Sequence, residues 1–89
     1  MNPVPHPPVA RVLLVDDEPM VLASLRETLR HEGYTLAVAN SAEEALELAR
    51  QHTFGVIVSD QQMPAMTGIE LLAEMKKLHP EAARILISA

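Results

Sequence analysis

The sequence predicts an α/β fold, a parallel sheet covered by helices, and two observations carry that expectation. Two short continuous apolar runs, Val12-Leu13-Leu14-Val15 and Val56-Ile57-Val58, stop at acids, as strands buried on both faces do. Between and after them, apolar residues recur at helical spacing behind capping signals. Strands therefore alternate with helices, which implies right-handed parallel crossovers. Eighty-nine residues with 48% hydrophobic content fit one domain rather than several.

Residues 1–10 carry Pro3, Pro5, Pro7 and Pro8 and read as a flexible proline-rich tail, with a proline-rich ligand for another protein as the other reading. The domain is expected over 11–89. Strand one starts at Arg11 and ends at Asp16 and Asp17. Pro19 suits the first turn of helix one, whose face is Val21, Leu22, Leu25 and Leu29, and Gly33 offers a stop, giving about 19–32. Strand two is expected over 34–39. Ser41 and Glu44 have the spacing of a capping box ahead of Ala42, Ala45, Leu46 and Ala49. Strand three is expected over 55–60, ending in Asp60. Thr67 and Glu70 repeat the box ahead of Leu71, Leu72, Met75 and Leu78, and strand four is expected over 84–88.

Tyr34 and Phe54 are the only aromatic residues, so the core must be aliphatic and base stacking on nucleic acid is disfavoured. A net charge of −5 opposes attraction to nucleic acid and to anionic membranes. An anionic ligand therefore needs a local answer, such as a metal ion. Without cysteine there is neither a disulfide framework nor a thiolate site, which favours an intracellular compartment. No apolar run approaches the roughly 20 residues of a membrane span, and the first residues lack the order of a signal peptide.

In a parallel sheet all strand carboxyl ends emerge on one edge, where ligands collect at the point of strand-order reversal. Asp16, Asp17, Asp60 and Ser88 fall at such ends. If strands one and three are neighbours, three carboxylates converge, which is costly unless protons or a cation compensate. Hard oxygen ligands with room for water suit magnesium. A carboxylate beside such an ion can attack phosphorus, which casts Asp60 as nucleophile, Asp16 and Asp17 as metal binders and Ser88 as a hydroxyl donor. Taken singly, each has a structural explanation: Asp16 or Asp17 as a helix N-cap, Asp60 as a turn residue, Ser88 as a polar strand exit. His6, His31, His52 and His79 lack ligand spacing and read as solvated surface, as do Lys76 and Lys77, while Met63 and Met66 read as loop packing.

Three segments carry a family resemblance: Leu-Leu-Val-Asp-Asp-Glu-Pro at 13–19, Ser-Asp-Gln-Gln-Met-Pro-Ala-Met-Thr-Gly at 59–68, and Ile-Leu-Ile-Ser-Ala at 85–89. An acid pair, an aspartate opening D-x-x-M-P 43 residues after Asp17, and a strand ending Ser-Ala together resemble the receiver domains of two-component response regulators. The resemblance covers residues 11–89. It implies a flavodoxin-like (CheY-like) sheet of order 2-1-3-4-5 that takes a phosphoryl group from a histidine kinase or phosphotransfer protein. By matching position it assigns Asp60 as phosphoacceptor, Asp16 and Asp17 with the backbone carbonyl of Gln62 as Mg2+ ligands, and Ser88 as the switch hydroxyl. Glu18 is assigned an assisting place beside the pair. Such a domain is cytoplasmic and is no enzyme beyond its own phosphorylation and dephosphorylation.

Receivers normally continue through helix four, strand five and helix five, and strand five ends in a lysine that meets the phosphoryl group. Neither Lys76 nor Lys77 matches that lysine. The expected form is therefore a truncated receiver, strands 2-1-3-4 with three helices, whose open strand-four edge invites a homodimer. The competing reading keeps the fold without the chemistry: a phosphorylation-incompetent module for protein binding or dimerisation. A dehalogenase-type phosphatase is disfavoured because strand one ends in Asp-Asp-Glu-Pro rather than Asp-x-Asp-x-Thr, and a dinucleotide fold because no G-x-G-x-x-G follows strand one.

Overall fold

A computed structural model of the chain describes residues 11–87. The tail at 1–10 and Ser88 lie outside the described residues. Seven elements alternate: β1 (Arg11–Val15), α1 (Pro19–Leu29), β2 (Thr35–Ala39), α2 (Ala42–Gln51), β3 (Val56–Asp60), α3 (Gly68–Leu78) and β4 (Ala83–Ile87). All strands are parallel and their order is β2-β1-β3-β4, as the sequence predicts. Val15 stands opposite Ala39 on one side and Ser59 on the other, and Asp60 stands opposite Ile87.

Alternation along the strands sorts the core into two clusters. Leu13, Val15 and Ile57 face α2 and α3, where they pack with Ala45, Ala49, Phe54, Leu71 and Met75. Val12 and Leu14 face α1, where Leu22 is buried and Leu25, Leu29, Val56 and Val58 are half-buried. The expected cover on both faces is therefore uneven. β3 alternates between buried and half-buried residues instead of being enclosed throughout, because α1 shields the β1 side of its face. Leu78, expected in the α3 stripe, is exposed.

The boundaries differ by small amounts, each with a local cause. α1 stops at Leu29, short of Gly33, because the Glu32 N–H turns back to the Leu29 carbonyl (3.0 Å). Gly33 then takes the left-handed φ of 82° that reverses the chain towards β2. Gly55, expected inside strand three, precedes Val56 yet already bonds both neighbours: its N–H donates to Arg11 (2.9 Å) and its carbonyl accepts from Ala83 (2.9 Å). Ser41 accepts the Glu44 N–H (3.1 Å), whereas Thr67 and Glu70 complete both halves of the box. His79 corrects the surface reading of the histidines. It is half-buried, and its Nε2 lies 2.7 Å from the Ala49 carbonyl, joining the ends of α3 and α2.

Candidate functional site

β1 and β3 are neighbours, yet the chain leaves β1 for β2 on one side and returns as β3 on the other. The reversal opens a crevice at the carboxyl ends of these two strands. Asp16, Asp17 and Asp60 meet there, each offering a carboxylate oxygen within 4.8 Å of the others. Asp16 is buried at 5% exposure, Asp60 is half-buried and Asp17 is exposed. Glu18, Val21, Gln62 and Ile87 complete an open cleft of about 440 Å³.

The Asp16 carboxylate accepts the Glu18 N–H (2.9 Å), which turns the chain into α1 at Pro19. Its structural and site placements thus coincide, and the N-cap is Glu18 rather than either aspartate. Burial pushes the Asp16 carboxyl above the usual carboxylate range, the Glu18 N–H pulls it back, and the negative charges of Asp60 and Asp17 push it further up. Three hard oxygen donors, one of them destabilised as an anion, fit a small divalent cation that keeps water in its open positions.

Three residues without an assigned part in the sequence reading shape this site. Gly68, the first residue of α3, lets the helix press against the end of β3: a Cβ there would collide with the Asp60 carbonyl oxygen and stand 2.6 Å from Leu86 Cδ1. The available signal was a glycine directly behind a Thr cap, a residue that helices tolerate poorly without a packing reason. Ser59 is fully buried and its hydroxyl donates to the Asp60 carbonyl (2.9 Å). Gln61 bonds both β4 and the start of α3. In the loop beyond, Met63 and Met66 pack on the core as expected, and Ala65 takes a left-handed φ of 69°. Lys76 and Lys77 are exposed on α3, where Lys77 pairs with Glu74 (3.1 Å).

A parallel sheet of this order with an acidic crevice at its reversal defines an open α/β domain of the flavodoxin-like class, whose ligands bind at that point. The chain belongs to the response regulator receiver domain family, whose model matches residues 12–89. It is 46% identical over 79 residues to the hydrogenase transcriptional regulatory protein HoxA of Cupriavidus necator, covering 89% of this chain and 16% of that protein. A response regulator receiver protein of Anaeromyxobacter sp. is 40% identical over 79 residues, covering 89% of this chain and 33% of the relative. The chain thus spans a third or less of the length of these curated relatives. The response regulator TrrA of Thermotoga maritima, solved in complex with Mg(2+)-BeF, superposes with a TM-score of 0.85 at 36% identity, over 91% of this chain and 70% of that one. No helix among the described residues is long and apolar enough to cross a membrane.

Proposed function

We propose that this chain accepts a phosphoryl group on Asp60 from a histidine kinase or phosphotransfer protein in the cytoplasm and thereby changes which partners or outputs it engages. In this reading Asp16, Asp17, Asp60 and the backbone carbonyl of Gln62 hold Mg2+, and Ser88 supplies the switch hydroxyl. The observation that supports it most is the convergence of three carboxylates within 4.8 Å at the β1/β3 reversal. Family membership and the Mg(2+)-BeF complex of the Thermotoga relative support it from outside the chain.

The chain's own residues divide the work. Asp60, half-buried at the mouth of the cleft, is within reach of a donor, and one of its carboxylate oxygens bonds to phosphorus as the donor's bond to phosphorus breaks. The product is an acyl phosphate on the side chain. Asp16 is held in place by the Glu18 N–H and offers charge from the buried side, while Asp17 offers it from the solvent side. Bound among them, the cation supplies positive charge against the acids' repulsion and the charge of the transferring group. Chemistry stays confined to the domain's own phosphorylation and dephosphorylation.

The test is incubation with acetyl phosphate and Mg2+, with an acid-stable, base-labile phosphoryl mass gain on the parent chain and none on Asp60→Asn. Labelling that survives the substitution removes Asp60 from this role. A parent chain that takes no label favours a second reading, an association module, which one observation supports: Ile85, Leu86 and Ile87 on β4 are 48%, 38% and 36% exposed. There a homodimer forms through the β4 edge. Sedimentation of the parent against Ile85→Lys separates the two, since a dimer of this kind dissociates on the substitution.

A further inference from the structure

We infer that Gln61 is a positioning residue for the acidic cleft, acting as a clasp between the end of β3 and the start of α3; this rests on the cation-binding reading above. The argument begins with the four N–H groups that every helix start leaves without intrahelical partners. In α3 these belong to Thr67, Gly68, Ile69 and Glu70. Thr67 donates to Glu70 Oε1 (3.1 Å) and Glu70 donates to Thr67 Oγ1 (3.2 Å), so the capping box satisfies the outer two. The inner two both end on Gln61: Gly68 donates to its backbone carbonyl (3.0 Å) and Ile69 to its side-chain Oε1 (3.0 Å).

The third bond of Gln61 runs the other way, from its own N–H to the Ile87 carbonyl of β4 (3.1 Å). The residue directly after Asp60 is therefore tied to a strand on one side and to two successive helix amides on the other. Its neighbour Gln62, which lines the cleft, leaves from that fixed point, and the loop through the left-handed Ala65 closes back onto it at Gly68. Groups that orient a metal ligand from behind commonly matter almost as much as the ligand itself. Gln61 fixes the peptide that leads into Gln62 by its own carbonyl and, at Ile69, by an amide oxygen that no aliphatic residue can replace. By linkage, a cation in the cleft must in turn hold the clasp shut.

The experiment compares the full chain with Gln61→Met, which keeps length and removes the acceptor, and with Ser41→Ala, which removes a comparable cap from a different helix, α2. Magnesium titration followed by amide NMR is expected to show the Kd of Gln61→Met raised about tenfold and that of Ser41→Ala unchanged. In the parent, Ile69 amide protection rises on adding Mg2+; that measurement alone decides the matter if Gln61→Met does not fold, and unchanged protection overturns the inference. Equal affinity in parent and Gln61→Met overturns it while leaving the proposed function standing. Equal losses in Gln61→Met and Ser41→Ala overturn it in favour of general stability. A parent that binds no Mg2+ overturns both.

Discussion

The two faces of the sheet are built to different depths. Under α2 and α3, eleven described residues are buried in one cluster, including Phe54, Ile57, Leu71 and Met75. Under α1 the buried set is Val12, Leu14 and Leu22, and Val56, Val58, Leu25 and Leu29 remain half-buried around it. The difference follows from cover: two helices and the 61–67 loop close one face, whereas one helix shields the other and leaves Ile85 and Ile87 of β4 open. The acidic cleft draws on both, since Asp60 is backed by α3 through Gly68 and Asp16 by the turn into α1.

The largest expected effect tests the asymmetry directly. Leu71→Ala leaves a void in a fully enclosed site and should cost about 2–5 kcal/mol. Leu25→Ala on the α1 face should cost about 1–2 kcal/mol, because a half-buried leucine gives up part of its transfer energy and encloses no cavity. Urea denaturation of both variants measures the pair. Equal losses would mean that the thinner face is as well packed in solution as the thicker one.

Next in size is the contact that ties the thick face to the site. Gly68→Ala places a methyl group against backbone at Asp60, which cannot swing aside, so a loss of about 1–3 kcal/mol is expected with movement of the β3 end. Gly55→Ala is the internal contrast: its Cβ meets only the Arg11 carbonyl at 3.9 Å, and the change should be neutral or stabilise by up to about 1 kcal/mol. Amide shifts of residues 59–62 are the readout, and a Gly68→Ala spectrum that leaves them in place would break the link between α3 and Asp60. A milder version is Thr67→Ala, which removes the cap without adding bulk and should cost about 1 kcal/mol.

These contrasts also mark what could be read from residues alone. The strands and the edge on which Asp16, Asp17 and Asp60 end were legible, because buried runs stop at acids, whereas the strand order that brings the three together was implied by the family resemblance. The depth of each face was not, since Val56 and Ile57 read alike as letters and differ only in what lies above them. Gln61 was opaque for a related reason: its bonds go to Ile69 and Ile87, eight residues away and across the sheet, and no local spacing encodes that. The Thr67 box was visible because both of its partners lie within one helical turn.

The smallest expected effect is a slope with pH on the α1 side of the cleft. Asp16 titrates above its ordinary value in the folded chain, chiefly because it is buried and then because Asp60 and Asp17 repel its charge. Below the ordinary carboxylate value both folded and unfolded chains hold this proton, and no penalty exists. As pH rises, the unfolded chain releases the proton first, so stability falls until the folded Asp16 has ionised too, and then levels at a constant cost. Asp16→Asn keeps the acceptor for the Glu18 N–H and removes the charge. Without divalent cations it should therefore match the parent in acid and exceed it at neutral pH, with the gap opening across that window. Adding Mg2+ should reverse the gap, because a ligand that binds the folded carboxylates stabilises the parent more than the variant. Denaturant titrations of both chains at both pH values, with EDTA and then with Mg2+, give the four differences needed. An Asn variant less stable than the parent in EDTA at neutral pH would show that Asp16 contributes to the α1 side through more than its bond to Glu18.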